Sequence, residues 1–147
     1  MGAEHAGLLT MLARLGAAFL LALPLAWERQ SGHHLGLRTV PLVSIGACGY
    51  VLIAIRLGEG PEAITRVLQG LLSGIGFIGG GAILKQGAGV VGIATAATIW
   101  NMGAIGAATG LGDYALGLFL CLANIIILVL GSVAHKLEAA SGKKDGA

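Results

Sequence analysis

Long apolar runs alternate with short polar breaks along this chain. Five runs can be drawn, at Leu8–Trp27, Val40–Leu57, Val67–Leu84, Val90–Leu111 and Tyr114–Ala134. Each has about 18–22 residues, the length an α-helix needs to cross a hydrocarbon core of roughly 30 Å. None shows the period-2 alternation of a membrane-barrel strand. The pattern predicts an all-α polytopic membrane protein, a bundle of about five Gly-rich transmembrane helices over residues 1–134, followed by a short polar tail at 135–147, a frayed end from Glu138 on. The second and third runs are the shortest and read as tilted or interrupted spans. Only Gly112-Asp113 parts the fourth from the fifth, which makes them an antiparallel hairpin.

Composition strengthens this reading. Hydrophobic residues make up 56% of the 147 residues and charged residues 11%, with a mean hydropathy of +0.88. An ordinary soluble domain carries roughly 25% charged residues. So few charges cannot cover a water-facing surface, which excludes a soluble enzyme and a nucleic-acid-binding module. The 26 glycines would suggest disorder only with low hydrophobicity; here they imply closely packed helices. Cys48 and Cys121 sit inside apolar runs without metal-ligand spacing and read as small buried hydrophobes. No Lys or Arg precedes the first run and no small-residue cleavage pattern follows it, so it reads as a retained helix, not a signal peptide.

Five crossings put the termini on opposite sides. One side carries Arg29, Arg38, Lys85, Lys136, Lys143 and Lys144; the other carries only Arg56 and Arg66. Six against two predicts an external amino terminus and a cytoplasmic tail.

Inside the spans, polar groups are few. Arg14 is the one charge well within a run, and an intramembrane charge is a functional candidate. Its long stem also allows snorkelling to the outer face or a structural pair with Asp113; an anion or carboxylate contact is the functional alternative. No Asp or Glu lies inside a run, which argues against a monomeric path for a divalent cation. The third run has Gly70/Gly74 and Gly76/Gly80 at GxxxG spacing. On a helical wheel Leu71, Ile75, Ile78 and Ala82 form one stripe, expected to face lipid, while Ser73, Gly74, Gly76, Gly79 and Gly81 face neighbouring helices. A second reading has Gly79-Gly80-Gly81 break the helix and bare its carbonyls to a ligand. In the fourth run Thr95, Thr98, Asn101 and Thr109 share about a third of the circumference beside Gly103, Gly106 and Gly110. They read as interhelical hydrogen-bonding groups or as a polar seam lining a cavity with the third run; Asn124 reads as a further bonding group.

The loop between the first two runs gathers Glu28, Arg29, His33, His34, Arg38 and Thr39. Without a Cys or third His it offers no metal site and reads as a solvated loop. No nucleophilic set, phosphate loop or zinc motif is present, so the sequence predicts no enzyme, no metal site and no cofactor.

At these residues the sequence resembles the transmembrane domain of the MgtC/SapB family. Arg14, Trp27-Glu28-Arg29, Gly36-Leu37-Arg38-Thr39, Arg66-Val67, Ser73-Gly-Ile-Gly-Phe-Ile-Gly79, Gly81-Ala82-Ile83, Thr95-Ala-Ala-Thr98 and Gly110-Leu111-Gly112 occur in order over about residues 8–134. The chain departs from the family pattern at Val91, where a basic residue is usual, and at Ala94, where a polar one is. Longer members continue into a soluble cytoplasmic domain, so the resemblance reads this chain as the short form. Founding members support growth in low magnesium and survival inside phagocytes. The resemblance implies a regulatory factor in magnesium homeostasis acting through membrane partners, the membrane sector of ATP synthase foremost. Partner contact is then expected from Arg14, Glu28, Arg29, Arg38, Thr39, Ser73, Gly74, Gly76, Gly79, Gly81, Thr95, Thr98 and Asn101. The alternative is a small, oligomeric transporter or channel for magnesium or another cation, lined by the third and fourth spans. The lipid bilayer is a partner in either case, a homo-oligomer is open in both, and nucleic acid in neither.

Overall fold

A computed structural model describes residues 2–28, 36–58 and 60–142. Five helices are found among them: α1 (Gly2–Glu28), α2 (Gly36–Leu57), α3 (Pro61–Gly81), α4 (Ile93–Leu111) and α5 (Tyr114–Gly142). A two-stranded antiparallel hairpin, β1 (Leu84–Gln86) and β2 (Gly89–Val91), joins α3 to α4, with Leu84 opposite Val91 and Gln86 opposite Gly89. Segments of α1, α2, α3 and α5 are long and apolar enough to cross a membrane: Gly7–Glu28, Leu37–Leu57, Pro61–Gly81 and Tyr114–Ala134. The 19 residues of α4 span about 28 Å at 1.5 Å per residue. Its threonines and Asn101 dilute its apolar character, and the bundle shields them by placing α4 at the centre, packed on all four other helices.

The core is built from small residues at helical spacing. Along α1, Ala18, Ala22, Leu25 and Ala26 are buried; along α2, Val40, Ser44, Ala47, Cys48, Val51 and Ala54. Those positions follow i, i+4, i+7, i+8 and form one stripe per helix. Both cysteines are buried and free, as expected of small hydrophobes. Outward faces carry large apolar side chains, with Phe77 85% and Phe119 70% exposed. A helix surface apolar on every side fits lipid rather than water.

The helix ends depart from the apolar runs. Pro61 starts α3 six residues before Val67, its missing N–H costing nothing in the first turn. The triple glycine does not break α3. The helix runs unbroken to Gly81 and closes with Ala82 N–H on Gly79 O at 3.0 Å. Leu84 and Val90-Val91, expected in spans, belong to the hairpin, whose turn sets Gly87 at φ 62°. Two-residue hairpin turns favour glycine where φ is positive. The frayed end expected from Glu138 is instead helical as far as Gly142.

Candidate functional site

Arg14 comes to the end of α4. That helix terminates with Gly112 in the left-handed region at φ 87°, where Gly112 N–H bonds Thr109 O and Asp113 N–H bonds Ala108 O. This Schellman-type ending leaves the Gly110 carbonyl without a backbone donor. Arg14 Nη1 donates to that carbonyl at 2.7 Å, and its positive charge opposes the partial negative charge at the helix end. The expected pair with Asp113 does not form. Asp113 instead caps α5, its Oδ1 accepting Leu116 N–H at 3.0 Å. Sequence shows candidate side-chain partners but not an orphaned carbonyl, which explains the difference.

The orientation expected for α3 is inverted. Ile75 is buried with Ala47 and Ile99, and Leu71 and Ala82 pack on that cluster. A side chain at Gly70, Gly74, Gly76, Gly80 or Gly81 would meet nothing within 4 Å. Ser73 is exposed as well. Only Gly79 makes the expected close contact, where a Cβ would lie 3.3 Å from Ala96 O. The physical cause is volume. Gly103 of α4 leaves a hollow that Ile75 fills, so a large residue of α3 meets a small one of α4. Glycine against glycine would leave a void. Of the stripe expected to face lipid, Ile78 alone keeps that character, 44% exposed.

Among the described helices the most tightly packed glycines belong to α4. A Cβ at Gly106 would strike Ser44 O and lie 2.9 Å from Ala47 Cβ; one at Gly110 would lie 2.9 Å from Val51 Cβ. Their GxxxG spacing was the available signal. Thr98 Oγ1 donates to Ala94 O at 2.9 Å and Thr109 Oγ1 to Gly106 O at 2.9 Å, both within α4. Of the polar group in that helix, Asn101 donates to Leu120 O of α5 at 3.2 Å, and the Thr109 hydroxyl also meets the Cys48 thiol of α2. The Asn124 side-chain nitrogen is buried without a partner among the described residues. Besides the Arg14–Gly110 bond, sequence reasoning missed the interhelical bonds of Ser44 Oγ to Ala18 O at 3.0 Å and Cys121 Sγ to Leu21 O at 3.2 Å.

The expected contact residues therefore do not converge on one site. Glu28 closes α1, and exposed Arg38 and half-buried Thr39 lie in the first turn of α2. Arg29, His33 and His34 lie outside the described residues. Thr39 stands at one end of an apolar groove of about 700 Å³ between α2 and α3, walled by Leu42, Gly46, Tyr50, Gly70, Gly74 and Ile78. Such a groove can seat an apolar helix or acyl chain. Among the described residues no three His, Cys, Asp or Glu come together as metal ligands.

The MgtC family model matches residues 15–137. Protein MgtC of Brucella abortus is 46% identical over 99 residues, covering 67% of this chain and 41% of that protein. Protein MgtC of Salmonella typhimurium is 35% identical over 134 residues, covering 87% of this chain and 57% of that protein. An uncharacterized protein of Synechocystis is 44% identical over 102 residues, covering 69% and 43%. The chain thus spans about half the length of the curated relatives it matches. No solved structure gives a significant match.

Proposed function

This chain belongs to the MgtC family, and on that premise we propose that it is a non-enzymatic regulatory factor in magnesium homeostasis and low-magnesium growth. It works through membrane partner proteins such as the membrane sector of ATP synthase. It lies in the bacterial inner membrane with its amino terminus outside, the orientation supported by the six-to-two distribution of Lys and Arg. The observation that carries the partner reading is the bare face of α3. Gly70, Gly74, Gly76 and Gly80 have no neighbour there, beside the open groove shared with α2. Lipid tails are as apolar as leucine, so membrane helices associate through close packing on small residues. A bare glycine face on an outer helix supports docking of another transmembrane segment.

The rival reading is conduction of a cation between α3 and α4. Against it stand the contacts of Ile75 on Gly103 and of Gly79 on Ala96 across that seam. The hollow of about 280 Å³ left beside them between α3, α4 and α5 has an apolar lining, and Thr98 is bonded to its own helix. One set of variants tests the choice. Gly74→Leu and Gly80→Leu should give normal yields of monodisperse protein but lose growth in limiting magnesium and co-purification of the ATP synthase membrane sector. Unimpaired growth in both would sink the partner reading. Saturable magnesium entry into proteoliposomes, abolished by Asn101→Ala or Thr98→Val, would put the channel in its place.

A further inference from the structure

At the end of the bundle that carries the α4–α5 turn, α1 and α2 separate around a cleft of about 400 Å³. Met11, Leu52 and Ile55 line its apolar walls, and Thr10, Arg14 and Arg56 bring the polar groups. An arginine has five N–H donors. Arg14 commits Nη1 to Gly110 O, and its Nε is buried with no acceptor among the described residues. Arg56, in the last turn of α2, is exposed on the other wall. Among the described residues lining the cleft there is no carboxylate.

Two guanidinium groups facing one partly apolar cleft concentrate positive potential there. An anion between them turns like-charge repulsion into charge-assisted hydrogen bonds, and the planar guanidinium fork matches the oxygens of phosphate. We infer that this cleft binds a phosphate-bearing anion, held between Arg14 and Arg56. Its place at the end of apolar helices puts the phosphate at headgroup depth, with the apolar walls alongside an acyl chain. A phospholipid and free inorganic phosphate share the chemistry that the arginines recognise. The inference is independent of the α3 face and of any protein partner.

The test is native mass spectrometry of the purified full chain in detergent. Phosphatidylglycerol, diacylglycerol with the same acyl chains, and inorganic phosphate are each titrated. Arg56→Gln is the main variant, because Arg56 is exposed and its loss leaves the Arg14–Gly110 bond in place. Arg56→Lys tests partial rescue, and Arg66→Gln, exposed on α3, controls for general charge. The expected result is retention of one phosphatidylglycerol, weakened about tenfold in Arg56→Gln, as for one lost charge-assisted bond, and unchanged in Arg66→Gln, with diacylglycerol not retained. Retention of inorganic phosphate with the same Arg56 dependence would identify the free anion as a ligand; failure of phosphate to bind or displace the lipid would identify the lipid alone. Equal retention of phosphatidylglycerol and diacylglycerol, equal effects of Arg56→Gln and Arg66→Gln, or binding of neither phosphate compound would overturn the inference.

Discussion

Replacing Gly106 and Gly74 by alanine should have opposite consequences, although both are mid-helix glycines in Gly-rich stretches. Alanine is favoured over glycine in a helix by about 1 kcal/mol, and that gain is common to both variants. At Gly74 the new methyl meets nothing within 4 Å, so Gly74→Ala should match or slightly exceed the parent in stability. At Gly106 it strikes Ser44 O and lies 2.9 Å from Ala47 Cβ, against an ordinary contact of about 3.5–4.0 Å. Relieving the closer contact with Ser44 O parts helices α2 and α4 by roughly 1 Å or more, and overpacking of that kind costs about 1–3 kcal/mol, occasionally more. Because the propensity gain cancels, the gap between the two variants isolates the packing cost. Unfolding in mixed micelles with increasing dodecyl sulfate, followed by tryptophan fluorescence, measures it. Gly103→Ala adds an internal control. Its clash is with the end of the Ile75 side chain, so adding Ile75→Val should recover stability. Adding Ala47→Gly to Gly106→Ala should not, since the Ser44 backbone still blocks. If Gly74→Ala proved less stable than Gly106→Ala, the assignment of packed and bare glycine faces would be wrong.

Arg14→Ala should cost about 1.5–3 kcal/mol in the same assay, the range for hydrogen bonds to charged groups. Asp113→Asn, which keeps a good cap for α5, should be nearly neutral; a large loss there would restore the Arg14–Asp113 pair. Ser44→Ala should cost about 0.6 kcal/mol, the mean for interhelical bonds in membranes, because the Ala18 carbonyl lies within helix α1; a loss several times larger would make Ser44 a keystone of the bundle. Reporter fusions after Gly60 and after Ala147 should locate to opposite sides of the membrane, and a shared side would remove the five-crossing topology.

The apolar runs made five helices legible, because a membrane span announces itself by length and composition alone. The hairpin escaped notice because strands of three residues are too short to show alternation. Its only trace was Gly87-Ala88-Gly89 between the polar Lys85-Gln86 and the apolar Val90-Val91. The facing of α3 was illegible for a deeper reason. In water, the apolar stripe of a helix points inward because exposing it is costly; in lipid that cost vanishes, and Leu71, Ile75 and Ile78 could equally face tails or neighbours. What decides is the shape of the helix opposite. Helix α4 offers hollows at Gly103, Gly106 and Gly110, and these take Ile75 from α3 and the Ser44–Val51 surface from α2. The glycines of α4 are thereby consumed in holding the bundle together. Those of α3 other than Gly79 are left over, on a helix with only Ile75 and Gly79 buried. Glycine is costly in a helix interior, and on α4 close packing offsets that cost within the chain. At Gly70, Gly74, Gly76, Gly80 and Gly81 of α3 nothing among the described residues offsets it, and an approaching transmembrane segment would.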